Sequence, residues 1–150
     1  MDLTQRSTGI ATVGLGRRSR ILTLAIVGLT IATAYIHLGL GGLLFTLNAA
    51  GYAALAAALV IAATVPHPLV ARFAWAPRVG LAGYAATTIV AYLVMGPYFS
   101  LGWVAKAIEV AILGLLAVNL QQTYGSPARL LQAALASVGL AERLRPEEVA

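Results

Sequence analysis

Four apolar runs, each long enough to cross a bilayer, alternate along the chain with short polar or turn-forming segments. The first covers about residues 21–39 and ends at Leu40-Gly41-Gly42. The second covers residues 43–65 and ends at Pro66-His67-Pro68, where two prolines forbid continuation of a helix. A connector from Leu69 to Arg78 leads to the third run, residues 79–95, which Gly96-Pro97 stops. The fourth starts near Leu101 and leaves the membrane around residue 120. At about 1.5 Å per residue, runs of roughly 17 to 23 residues reach roughly 26 to 35 Å, the thickness of a hydrocarbon core. The pattern predicts an all-α fold, an antiparallel up-down four-helix transmembrane bundle.

Outside the spans the pattern changes. Residues 1–20 are rich in Gly, Ser, Thr and Arg and lack apolar periodicity, so they read as a disordered cytoplasmic leader before a transmembrane domain at 21–122. In the tail, 123–150, Ser126 followed by Pro127 is a helix start, a side-chain cap with proline in the first turn. Leu131, Leu135 and Val138 then recur at helical spacing to about Ser137, with Gly139 as terminator. This predicts a short amphipathic cytoplasmic helix, lying in the membrane interface or packing on a partner. Arg17 to Arg20, the apolar run after them and Ala32-Thr33-Ala34 imitate a signal peptide, but the long leader and the continuing apolar run argue against cleavage.

Charge placement sets the orientation. Arg6, Arg17, Arg18 and Arg20 precede the first span, Arg72 and Arg78 lie between the second and third, and Arg129, Arg143 and Arg145 follow the fourth. The other two loops carry no Lys or Arg. Basic loops stay cytoplasmic, so both termini are expected inside. Nine of the ten basic residues are arginine, a bias often seen in GC-rich bacterial genomes, so the expected location is a bacterial inner (cytoplasmic) membrane. Phe73, Trp75 and Tyr124 then fall at the inner interface and Tyr98, Phe99 and Trp103 at the outer one.

Composition narrows the classes. Hydrophobic residues make up 60% and charged residues 10% of the 150, well below the charge content of about 25% in soluble domains. The absence of cysteine removes disulfides, thiolate metal sites and iron–sulfur ligation. The net charge of +5 flanks the apolar spans instead of forming a polar patch, which points to anionic lipid headgroups and not to nucleic acid.

Lipid is as apolar as leucine, so the helices must associate through small residues and interhelical hydrogen bonds. Span two offers the stripes Ala49, Ala53, Ala57 and Ala50, Ala54, Ala58, and span one offers Ala25, Gly28 and Ala32. The segment Ala-Gly-Tyr-Ala-Ala occurs at residues 50–54 and 82–86 and reads as coincidence in an alanine-rich chain, because a two-helix duplication would equate span two with span four.

Candidate chemistry lies in the fourth span, where Lys106 and Glu109 stand one helical turn apart. Topology puts them roughly 8 and 12 Å below the outer end of that span. His37 and Tyr35 of span one, Asn48 and Tyr52 of span two and Tyr92 of span three fall in the same outer half, whereas the inner half holds chiefly Tyr84 and some threonines. A charged side chain at a helix centre costs about 2.5 to 3.5 kcal/mol to insert, so the fourth span needs its neighbours and Glu109 needs Lys106, His37 or Asn48. The candidate intramembrane site is therefore Glu109, Lys106, His37, Asn48 and Tyr52. It would act as a hydrogen-bonded register lock, a proton relay or a small-ligand pocket open to the outside.

No metal-ligand spacing, phosphate loop or activated nucleophile is present, so no enzyme, cofactor or metal is expected. His37 and His67 stand about a membrane thickness apart, too far for one haem. Expected partners are the lipid bilayer and a second copy of the chain or a larger membrane complex. The rivals to a binding or proton-handling site are an accessory subunit, a dimeric proton-coupled exporter, and a membrane oxidoreductase with bound quinone or haem.

The segments His37-Leu38, Leu44 through Tyr52 and Lys106-Ala107-Ile108-Glu109-Val110 resemble small uncharacterised four-span bacterial integral membrane proteins. The resemblance covers the membrane region and implies no activity; it places His37, Asn48, Lys106 and Glu109 in that group's pattern. The size is also similar to small multidrug exporters, but those carry their essential glutamate in the first span, which has no carboxylate here.

Overall fold

The computed structural model describes residues 17–139; the leader before them and the tail after them, with Arg6, Arg143 and Arg145, lie outside the described residues. Six helices follow in order: α1 Arg17–Leu40, α2 Leu43–Thr64, α3 Pro68–Arg72, α4 Ala76–Met95, α5 Ser100–Tyr124 and α6 Pro127–Ser137. No strand occurs among the described residues. Four of the six, α1, α2, α4 and α5, are long and apolar enough to cross a membrane.

Local chemistry accounts for most boundaries. Gly41 and Gly42 take positive φ angles of 73° and 83°, which lets the chain reverse within two residues. Val65 leaves α2 in an extended conformation ahead of Pro66, and the His67 side chain accepts the Leu69 amide proton at 3.2 Å to cap α3. Ser126 accepts the amide proton of Arg129 at 3.3 Å, with Pro127 in the first turn of α6, and Gly139 ends that helix with φ 74°.

Several expected boundaries move. α1 begins at Arg17, so the last residues of the expected leader form its first turn. The connector from Leu69 to Arg78 contains α3, and α4 starts at Ala76 because Pro77 is tolerated in a first turn. Arg78 is thereby a helical residue, 2% exposed, and not a loop cation.

The long helices close a ring in which α1 packs on α2 and α5, and α4 packs on α2 and α5; α6 rests on α5. Each turns inward a stripe spaced by three and four residues: Thr23, Ile26, Thr30, Thr33 and His37 on α1; Ala49, Tyr52, Ala56 and Leu59 on α2; Arg78, Leu81 and Ala85 on α4; Gly102, Ala105, Glu109, Ile112, Leu116 and Asn119 on α5. That alternation is the seam geometry of bundles with shallow crossing angles. The expected small-residue stripes are not the seams, for Ala53, Ala57, Ala25 and Gly28 are exposed. The inward stripes carry the large and polar residues because only the bundle interior offers partners for a threonine or histidine, while an alanine face can meet either lipid or protein.

The outer surface is apolar, with Leu24, Leu44, Val94 and Met95 among the exposed residues. Polar groups inside and aliphatic groups outside are compatible with a bilayer as the solvent. On α6 the bundle takes Ser137, which accepts from Trp75 Nε1 at 3.1 Å, and leaves Leu131, and Val138 just past the helix, exposed.

Candidate functional site

Glu109 is 0% exposed and is met by three helices. From its own helix, Lys106 Nζ donates to Oε2 at 2.5 Å. From α4, Thr88 Oγ1 stands 2.9 Å from the same oxygen. From α1, the Thr33 hydroxyl donates to Oε1 at 3.4 Å and His37 Nε2 lies 3.8 Å from it. The spacing of three between Lys106 and Glu109 puts both on one face, so the pair forms within a single element and the other helices complete it.

Each partner is itself positioned. His37 Nδ1 lies 2.8 Å from the Thr33 carbonyl, which can only accept, so Nδ1 carries the proton and Nε2 is turned toward the carboxylate. The Thr88 hydroxyl has one proton and two acceptors at 2.9 Å, Glu109 Oε2 and the Ala85 carbonyl. Tyr52 Oη lies 2.8 Å from Thr88 Oγ1, so α2 reaches the carboxylate through that hydroxyl. All four membrane-length helices thus contribute to one network, and a Lys106 ammonium 5.6 Å above the Tyr92 ring adds a cation–π contact.

Beside the network lies a cavity of about 340 Å³ between α2 and α4, closed at its deep side by His37, Thr88 and Lys106. Its walls include Phe45, Tyr84, Tyr92 and Phe99, and its rim carries the exposed side chains of Leu44, Leu47 and Met95. Two glycines set the wall positions by permitting close approach. A Cβ on Gly51 would overlap the Tyr84 hydroxyl, and one on Gly102 would lie 2.6 Å from the Tyr92 hydroxyl.

Of the five candidate residues, Glu109, Lys106, His37 and Tyr52 come together. Asn48 stands apart: it is half-buried in the cavity wall, its side chain makes no hydrogen bond among the described residues, and its link to the cluster is its backbone carbonyl, which accepts from Tyr84 Oη at 3.3 Å. Tyr84, expected in the inner half, belongs here because its side chain packs edge-on against Tyr52 at 4.9 Å. The repeated Ala-Gly-Tyr-Ala-Ala segments therefore meet across the α2–α4 contact. Tyr35, expected in the layer, is 78% exposed.

Sequence reasoning missed Thr33 and Thr88, both direct partners of the carboxylate. Their spacing marked the face each lies on, though not which of them reaches across. Thr23, Thr30 and Thr33 share with Ile26 and His37 a three-four spacing, and Thr88 lies four residues from both Tyr84 and Tyr92.

A second buried polar pair lies where little was expected. Arg78 Nε donates to Asn119 Oδ1 at 2.9 Å and its Nη1 donates to the Ala74 carbonyl, while Asn119 Nδ2 is buried without a partner among the described residues. Among the described residues, Glu109 is the one carboxylate, and it does not reach Arg78. No protein family, no curated protein and no solved structure matches this chain.

Proposed function

We propose that this is a multi-pass protein of the bacterial cytoplasmic membrane, an up-down four-helix bundle with both termini cytoplasmic, that binds a small amphipathic molecule in the cavity beside Glu109 and Lys106. The observation that carries the reading is the make-up of that cavity. About 340 Å³ of space has mostly apolar walls, and three of its polar groups, Lys106, His37 and Thr88, belong to the network around the buried carboxylate, while Asn48 and Thr87 also line it. A register lock needs no such space, whereas a small-molecule site combines an apolar body with a few orienting polar groups.

The topology rests on two supports. Arg78 contacts Asn119 and Thr88 contacts Glu109, ten residues further on α4 and ten residues back on α5, as antiparallel neighbours require. The turns at Gly41-Gly42 and Gly96-Pro97 lack basic residues, while Arg72, Arg78 and Arg129 flank the opposite ends. The exposed apolar side chains of Leu131 on α6 and of Val138 just after it support that helix's lying along the inner interface. Because the chain has no cysteine, single cysteines report orientation cleanly. In intact cells a membrane-impermeant maleimide is expected to label Ser100→Cys, and to label Gln122→Cys only after permeabilisation; the reverse result overturns the orientation.

The hydroxyl chain from Tyr52 through Thr88 to Glu109 would also pass a proton, but both of its ends are 0% exposed, so ligand binding accounts for more of the site. Ala91 lines the cavity, and Ala91→Phe would place a ring in it. Native mass spectrometry of the purified protein is expected to release a small molecule from wild type and none from that variant at equal stability. Retention by both rejects this cavity as the site. Fixed-stoichiometry partner subunits in place of a small molecule would assign an accessory role instead.

A further inference from the structure

We infer that the occupant of the cavity is a neutral molecule with a flat, carbonyl-bearing head and an apolar tail, the chemistry of a prenylated quinone; this rests on the ligand-binding reading above. Charge decides first. Glu109 is fully buried and forms no part of the cavity wall, whereas Lys106, 7% exposed, does. An occupant therefore meets an ammonium, which excludes a cationic head.

An anionic head fares little better. Lys106 already pairs with Glu109 at 2.5 Å, so the couple is neutral, and a second negative charge would have to share one ammonium with a carboxylate a few ångströms away in a water-poor site. A neutral acceptor avoids that repulsion. An ammonium carries three N–H donors, and among the described residues Lys106 directs a hydrogen bond only to Glu109. A carbonyl oxygen takes one of the others.

Asn48 supplies a second point of recognition. Its carboxamide lines the cavity from α2, as Lys106 does from α5, and has no hydrogen-bond partner among the described residues. Its NH₂ group is free to donate. The imidazole is not, since Nδ1 serves the Thr33 carbonyl and Nε2 faces Glu109. Two spare donors on separate helices suit a head with two acceptors, and rings from α2 (Phe45) and α4 (Tyr84, Tyr92) suit a flat one. Leu44, Leu47 and Met95 are exposed at the rim, where a tail would pass between α2 and α4 into the acyl chains.

The test uses the purified full-length protein in detergent and three probes read by tryptophan quenching, since the Trp103 ring lies 5.5 Å from that of Tyr92 in the cavity wall. Decylubiquinone is expected to quench saturably. Decanoate, a tail one carbon shorter with an anionic head, and decyltrimethylammonium, with a cationic one, are expected to compete at least tenfold more weakly. Ala91→Phe and Asn48→Leu should each weaken decylubiquinone at least tenfold. So should the paired Lys106→Met/Glu109→Gln variant, which removes both charges together and leaves neither one buried alone. Equal or tighter competition by decanoate overturns the neutral head, and quenching that ignores all three variants reports partition into micelles and overturns the inference. If decylubiquinone fails while wild type but not Ala91→Phe still releases a different small molecule, the ligand class falls and the binding site stands; if no molecule is released either, both fall.

Discussion

Two buried polar layers share α4 and α5 and are built on opposite plans. In the Glu109 layer all four long helices contribute, a carboxylate faces an ammonium at 2.5 Å, and a cavity opens alongside. In the Arg78 layer, ten residues away along α5 and so about 15 Å along its axis, the guanidinium meets, among the described residues, only the neutral oxygens of Asn119 and Ala74. The cavity described above does not reach it, and α6 is anchored nearby through Trp75 and Ser137. The difference teaches that the partner a buried charge needs depends on its depth. Under the proposed topology Arg78 lies near a span's end, where the cost of a charge falls toward that of the interface and neutral acceptors suffice. Glu109 lies further in and requires an opposite charge.

The sharpest way to break this comparison is to remove one cation from each layer. Lys106→Met leaves Glu109 as an uncompensated buried charge and is expected to cost about 3 to 5 kcal/mol, measured by denaturant titration in micelles. Removing the carboxylate as well, in Lys106→Met/Glu109→Gln, should restore most of that loss. A double variant as unstable as the sum of the two single changes would show that the pair is uncoupled.

Arg78→Met leaves no opposite charge behind, only an amide that loses its partner, and should cost about 1 to 3 kcal/mol by the same titration. A loss equal to that of Lys106→Met would erase the distinction between the layers.

The wall of the cavity offers a smaller effect. Gly51→Ala drives a methyl into the Tyr84 hydroxyl and should destabilise by about 1 kcal/mol or more, whereas Gly83→Ala, at the matching position of the repeated segment, has no atom within 4 Å and should be near neutral. Equal thermal stabilities for the two variants would mean that Tyr84 is not held against α2. Smallest of all, Thr33→Val removes one long hydrogen bond to Glu109 and should cost about 0.6 kcal/mol, the usual scale between membrane helices. Thr88→Val should cost more, because its hydroxyl also joins Tyr52 to the carboxylate; the reverse order in a thermal melt would count against the network.

The positions of Lys106 and Glu109 three residues apart in an apolar run made the ion pair legible, since helical spacing alone puts them on one face. The threonines were not legible in the same way. A threonine in an apolar helix can bond its own helix, as Thr30 does to the Ile26 carbonyl at 2.7 Å, or reach across to another, as Thr33 does. Spacing cannot choose between these. Arg78 was placed in the connector, whereas Pro77 beside it sits in the first turn of α4 and Arg78 is helical.

What the chain determined by itself is the set of long apolar helices and the turns between them, because span length, glycine turns and proline stops act through neighbouring residues. The partners of Glu109, the unbonded carboxamide of Asn48 and the outward placement of Tyr35 were decided only when the helices packed. Packing rotates each helix about its own axis, and a rotation of a few tens of degrees exchanges a residue that meets a neighbour for one that meets lipid.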